Sequence, residues 1–354
     1  MIYTLETLRG FAAIAVAFFH FPSLSLLYFE TGHLAVYFFF CLSGFVITLN
    51  YFYRIKTFKN LLNFQIRRFF RLYPIHILVL FIVLIIQILK FFLINNGLSS
   101  GSEAFGPWYT LKDFILHLFL LQAVVDGGYF LSWNSSAWSI STEFYTYLIF
   151  GILVLILRGN KILFIVFLLI YQFYFTELFQ YLDKIFFGHI NNLLNDCLLP
   201  FFSGSLMFFI YEKVRFKIND FFLFFLAITS YYLIVFLNNY ITITIHLYWA
   251  ILILIFALLK KNSFIFKILN FRPFVYLGAL SYSFYMIHQI VLYVLIQVFK
   301  VFDLGFSFSS EKASSTGDVF YDTCITILYV LISLIVAAFL HKFIEQRFRI
   351  KNWN

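Results

Sequence analysis

Charge is the scarcest property of this chain. Only 12% of its 354 residues are Asp, Glu, Lys or Arg, about half the share of an ordinary soluble domain. That shortage excludes a soluble enzyme and a disordered chain, both of which need polar surface. Cysteine is nearly as rare. Cys41, Cys197 and Cys324 all lie in apolar runs, so a disulfide scaffold and a cysteine metal site are excluded and the three read as buried apolar residues. The sequence also lacks a Gly-rich phosphate loop, a nucleophile elbow and zinc-ligand spacing. It has no Pro/Gly/Ser-rich linker, so residues 1–354 form one expected domain, with no fused extracytoplasmic domain. No internal repeat is visible, which disfavours a transporter of the inverted-repeat kind.

What fills the chain is hydrophobic: 63% of residues, with 54 Phe and 24 Tyr. Ten apolar runs, near 7–29, 33–53, 73–95, 138–157, 161–182, 191–211, 221–238, 241–259, 273–298 and 322–345, each approach the ~20 residues that cross a bilayer as a helix. The expected fold is all-α, a polytopic membrane bundle with no strand, because the runs are continuous rather than alternating. Segment 113–125 is too short to span and reads as a re-entrant or interfacial helix. The turn at Asn238-Asn239-Tyr240 makes its two flanking helices a hairpin.

The formal charge of +9 is mostly topology. Loops 54–72, 158–161, 212–220 and 260–272 and the C-terminal tail hold nineteen Lys and Arg. The loops on the other side hold four: Lys112, Lys184, Lys300 and Lys312. This asymmetry predicts both termini in the cytoplasm. It also removes nucleic acid as the reason for the basic charge. Met1–Glu6 is too short for the n-region of a cleaved signal, so the first span is expected to be retained.

Polar groups inside a bilayer are costly, at ~2.5–3.5 kcal/mol for a charge at a helix centre, and usually face a cavity or the bundle interior. Five places stand out. Arg9 and His20, eleven residues apart, share one face of the first helix, with Gly10, Ala12 and Ala13 allowing close packing. Ser43-Gly44 interrupts an aromatic helix. Arg67, Arg68 and Arg71 precede Tyr73-Pro74, where they suit phosphate groups or, as plain anchors, lipid headgroups. Ser139 and Glu143 share a face, and a carboxylate there needs a partner. Ser281, Tyr282, Tyr285 and His288 form a polar seam. Asp196 is a lesser candidate for the cavity, and His76, His246 and His341 read as structural.

Together these segments resemble the acyltransferase 3 family of integral-membrane O-acyltransferases. The matching pieces are Leu8-Arg9-Gly10-Phe11-Ala12-Ala13 with His20, Phe38 to Phe45, Arg67 to Pro74, Trp138 to Phe144, and Leu280 to Tyr285 with His288. They follow the family's order over nearly the whole chain. Two positions depart from it: Gly151 stands where Pro is frequent, and His76 where Tyr is frequent.

The resemblance implies ten helices in a bacterial cytoplasmic membrane. It implies transfer of an acyl group, usually acetyl, from cytoplasmic acyl-CoA (acetyl-CoA) to a sugar hydroxyl of a surface or lipid-linked glycan such as a lipopolysaccharide O-antigen. His20 matches the family's essential histidine, as catalytic base or acyl relay, and Arg9 belongs to the same motif. Arg68 and Arg71 match the acyl-CoA side, with Arg67 beside them, and Glu143 matches an acidic cavity position. Ser43, Ser139, Tyr282 and His288 are expected to line the substrate cavity, the hydroxyls as oxyanion donors. The acyl donor is a substrate, and no metal is implied. A separate extracytoplasmic partner protein is compatible with the pattern. The rival class is a carrier or flippase of lipid-linked sugars, which acyl-CoA dependence would separate.

Overall fold

The computed structural model describes residues 2–21, 32–97, 103–125, 128–172, 193–214, 217–218, 220–221, 225–226, 228–229, 232, 242–301, 308–309, 312–313 and 318–350. Within them the chain is a bundle of helices. These are α1 (Tyr3–His20), α2 (Leu34–Tyr51), α3 (Phe58–Asn95), α4 (Leu111–Leu118), α5 (Trp138–Ile156), α6 (Lys161–Ile170), α7 (Leu193–Lys213), α8 (Thr242–Ala257), α9 (Phe264–Leu269), α10 (Arg272–Val301) and α11 (Val319–Leu340). A π-helical turn, His341–Glu345, and a short turn to Phe348 extend α11.

Six stretches are long and apolar enough to cross a membrane: Leu34–Tyr51, Phe58–Asn95, Ser135–Ile156, Leu193–Lys213, Arg272–Phe299 and Val319–Phe348. The chain is a multi-pass membrane protein. The expected ten spans therefore stand at six among the described residues. Helix α1 is weakened by Thr4, Glu6, Thr7 and Arg9, and α6 and Tyr248–Ala257 are apolar but shorter. The proposed span 221–238 lies largely outside the described residues.

Three further expectations change. The basic loop 54–72 is helical from Phe58 onward, capped by the Thr57 hydroxyl accepting from the Asn60 amide. Helix α3 thus runs 38 residues, about 57 Å, well beyond the ~30 Å hydrocarbon core. Pro74 sits inside it without ending it, and Gly97 closes it with φ +70°, a conformation that costs glycine little. A two-residue antiparallel pair, Phe308–Ser309 with Lys312–Ala313, forms where no strand was expected. Cys324 is exposed rather than buried. It shares an outward face of α11 with Ile327, Leu328, Leu331 and Ile335, since lipid accepts an apolar surface as readily as the core does.

Missing side chains let the central helices meet backbone to backbone. A Cβ on Gly10 would strike Leu277 and Gly278, and one on Gly278 would strike the Glu6 carbonyl. Ten residues further along both helices, the rings of His20 and His288 meet at 5.4 Å, so α1 and α10 run parallel. Gly44 and Gly204 make the same kind of crossing between α2 and α7. The Tyr53 hydroxyl donates to Glu212 at 2.9 Å, so these two helices also advance together. Helices α3 and α5 are antiparallel. Leu61 fills the space left by Gly151, and the Gln65 amide donates to the Phe144 carbonyl at 3.1 Å. The departure at Gly151 therefore has a packing reason.

Candidate active site

Helices α1, α2, α3, α5 and α10, together with Arg349, surround a cavity of about 380 Å³. Its chemistry comes from few residues. Arg9 from the second turn of α1 lines it, as do Arg68 and Arg71 from one face of α3, and Glu143 from α5. Ser43, Ser139, Ser281, Tyr282 and Tyr285 supply hydroxyls. Five of the places singled out in the sequence thus meet at one hollow.

The four arginines are held differently. Arg9 pairs with Glu6 at 3.2 Å. Glu143, whose carboxylate needs a partner, does not pair with Arg9. Glu143 instead accepts hydrogen bonds from Ser43 (2.6 Å) and from the Tyr147 hydroxyl. Arg71 pairs with Glu345, whose side chain is 1% exposed and which also accepts from Ser283 at 2.8 Å and contacts His341 Nδ1 at 2.9 Å. Arg68 has no carboxylate within ion-pair range among the described residues. It donates to the Tyr51 hydroxyl at 3.0 Å, lies 5.2 Å from that ring's centre and 5.8 Å from that of Tyr147, and leaves Nε buried without a partner. Arg349, just past the last helix, is held below the ordinary guanidinium value by the charge of Arg71 and then by burial. Positive charge is therefore crowded at this end of the bundle, as an anion site requires.

Glu345 was not singled out in the sequence, and His341 was read as structural. Both belong to the cluster that fixes Arg71. The available signal was a carboxylate at the end of an otherwise apolar run, four residues from a histidine. Ser281, part of the polar seam, is a cavity residue beyond the four expected. It lines the cavity, is 2% exposed, and its hydroxyl has no partner among the described residues. Tyr282, expected as an oxyanion donor, gives its proton to the Leu72 carbonyl and so joins α10 to α3. The Ser139 hydroxyl bonds to the Tyr285 hydroxyl at 2.9 Å.

His20 does not line this cavity, and neither do Arg67, His288 or Asp196. His20 is buried against His288 at 5.4 Å and Phe19 at 5.1 Å. His288 bonds through Nδ1 to the Tyr285 carbonyl at 2.6 Å. A carbonyl only accepts, so Nδ1 carries a proton, and in the neutral ring Nε2 is the acceptor. That Nε2 is buried without a partner among the described residues. Tyr285 lines the cavity and its ring lies 5.7 Å from that of His288. The cavity, Tyr285, His288 and His20 therefore form a continuous series of contacts. Among the described residues no three His, Cys, Asp or Glu side chains converge as metal ligands would.

A family model described as an acyltransferase domain, that of the acyltransferase 3 family, matches residues 2–341. The chain belongs to the acyltransferase 3 family. The match covers nearly the whole chain, from the first turn of α1 to the π-helical turn after α11, and so includes every helix that lines the cavity. No curated protein and no solved structure matches the chain. This acyltransferase 3 protein thus carries a buried histidine pair beside an arginine-rich cavity, and its family implies an acyl donor.

Proposed function

We propose that the protein is a membrane O-acyltransferase that moves an acyl group, acetyl in the simplest case, from cytoplasmic acyl-CoA to a sugar hydroxyl of a surface or lipid-linked glycan. The observation that carries this reading is the cavity in which Arg9, Arg68, Arg71 and Arg349 converge next to Glu143, with the His20–His288 pair one contact behind Tyr285. The expected setting is a bacterial cytoplasmic membrane, with the arginine end and both termini on the cytoplasmic side.

Arg68 and Arg349 hold phosphates of the donor, Arg71 supports them from its fixed position, and the thin pantetheine arm runs between the helices toward the histidines. Arg67, outside the cavity wall, serves as an interfacial anchor. The acceptor hydroxyl attacks the thioester carbonyl carbon. Its proton passes to His20, a natural role for imidazole near neutral pH. The C–S bond breaks, and the CoA sulfur leaves and takes up the proton that His20 holds. Ser281, whose hydroxyl proton is uncommitted, serves the developing oxyanion, and Ser43, Ser139 and Tyr282 hold the wall around it. The Nε2 lone pair of His288 offers the His20 ring a hydrogen-bond acceptor once that ring holds the proton. Glu143 shapes the electrostatics of the arginine end. An acyl-His20 relay has the same overall balance.

The test is transfer of label from radiolabelled acetyl-CoA to glycan in membranes containing the protein. Label reaching glycan with wild type but not with His20→Ala, at equal membrane abundance, supports the reading. Glycan that crosses the membrane without any need for acyl-CoA points to the flippase instead.

A further inference from the structure

A second cavity, about 410 Å³, is lined near the other end of α3 by Gln87 and on α10 by Gln289 and Tyr293. Gln87 lies sixteen residues beyond Arg71, about 24 Å along the helix. The two hollows thus open toward opposite ends of the bundle. His288 sits between them in sequence: Tyr285 lines the first and Gln289 the second.

The two linings differ in kind. None of the thirteen side chains around the second cavity carries a formal charge. Five are Trp or Tyr, and three are the side-chain amides of Gln87, Asn134 and Gln289. Trp108 and Tyr129 pack at 4.1 Å between ring centres and are 51% and 36% exposed, so their faces are presented rather than buried. Asn134 is 3% exposed and donates through its NH₂ to the Met286 carbonyl at 3.3 Å, and its buried oxygen has no partner among the described residues. Gln289 Nε2 likewise has no partner among the described residues. A buried amide oxygen and a buried amide NH₂ left open on one wall are an acceptor and a donor waiting for a ligand. Burial lifts the Tyr109 phenol to about 12, so it stays a neutral hydroxyl.

The wall is built rigidly. Trp133 sits at φ +54°, a strained conformation for so bulky a residue. It is fixed there by its indole NH donating to the Thr110 carbonyl at 3.1 Å and by packing on Phe114 at 4.9 Å. Buried Asp113 accepts from the Tyr129 amide at 3.0 Å and so pins that ring's segment to α4. Strain kept in place by several independent contacts is typical of a binding wall.

We infer that this second cavity is the acceptor subsite, and that it takes an uncharged sugar ring stacked on Trp108 and Tyr129 with its hydroxyls bonded to Asn134, Gln289 and Tyr293. Sugars offer both surfaces such a wall needs. The C–H face of a pyranose is apolar and flat, and its hydroxyls each donate and accept, as amides do. An anionic sugar would meet no cation among the described lining residues. The inference rests on the acyltransferase reading and adds to it the side of acceptor entry: the end opposite the arginines.

The experiment uses the full chain in lipid nanodiscs. Saturation-transfer NMR is recorded with methyl β-glucopyranoside and methyl β-galactopyranoside as neutral probes and methyl glucuronide as the anionic one. Acetyl-CoA binding is measured on the same samples by calorimetry. At least one neutral glycoside is expected to receive saturation, strongest on its C–H face, and to bind at least tenfold more weakly to Trp108→Ala and to Gln289→Leu. The glucuronide is expected to receive none. Wild-type protein that binds acetyl-CoA but neither neutral glycoside overturns the subsite and leaves the donor reading standing. So does equal saturation of both variants, or a glucuronide signal as strong as the neutral one. Protein that binds neither acetyl-CoA nor glycosides overturns both together.

Discussion

Arg68 and Arg71 lie three residues apart on one face of α3, yet their removal should fail in different ways. Arg71 is bonded to Glu345, and the carboxylate is almost wholly enclosed at 1% exposure. Arg71→Ala strands that carboxylate among Ser283 and His341. Removing one member of a buried pair costs ~3–5 kcal/mol, a large part of the marginal stability of a folded protein. Arg68 has no carboxylate to strand, only the Tyr51 hydroxyl and two flanking rings. Arg68→Ala should leave the fold intact and remove one charge-assisted bond to the donor, worth ~1.5–3 kcal/mol. That corresponds to roughly a 10- to 150-fold rise in KM for acyl-CoA with little change in thermal midpoint. The assay pairs detergent-solubilised thermal unfolding with donor titration of acyl transfer. The double variant Arg71→Ala/Glu345→Gln should recover stability relative to Arg71→Ala, because no buried charge is then left alone. Equal thermal losses for Arg68→Ala and Arg71→Ala, or a double variant no more stable than Arg71→Ala, would refute the reasoning.

Other perturbations probe separate parts of the account. Gly278→Val should weaken folding by ~1–3 kcal/mol, since its side chain would meet the Glu6 carbonyl; a thermal midpoint equal to wild type would contradict the backbone crossing of α1 and α10. Tyr147→Phe removes a bond to Glu143 and should lower acyl transfer about tenfold while leaving membrane abundance unchanged, read by kinetics beside quantitative blotting. Burial holds His117 well below the ordinary imidazole value. The unfolded chain therefore binds the proton first, so stability is full above about pH 6.5 and falls by up to ~1.4 kcal/mol per unit as pH drops below it. His117→Gln should flatten that slope in thermal unfolding from pH 7.5 to 5.5, and an unchanged slope would assign the acid response elsewhere.

Much of this molecule is legible in its sequence because the membrane simplifies the code. Apolar runs of the right length mark helices, and all six candidate spans overlap expected ones. The polar residues inside them marked most of the first cavity, because a bilayer tolerates such groups only where they have partners or a hollow to face. What stayed hidden depended on three-dimensional partnership. The basic stretch before Tyr73 looked like a loop because arginine clusters are common at membrane surfaces, yet it continues α3 into the cavity. Glu345 was inconspicuous until Arg71 of a distant helix reached it. The Tyr282 hydroxyl looks available in the sequence, but it is committed to a hydrogen bond that the Leu72 carbonyl accepts. The lining of the second cavity is drawn from α3, two loop segments and α10, and no single stretch of sequence contains its pattern.

The central claim is that an acyl group leaves this protein on a glycan and that His20 is required for the transfer. Mass spectrometry of surface glycans tests it most directly, in host cells lacking the gene and complemented with wild type or with His20→Ala at matched membrane abundance. The account predicts an acyl mass increment on the glycan with wild type and none with the variant. The same increment with His20→Ala, or a glycan that fails to assemble at all without the gene, would contradict it.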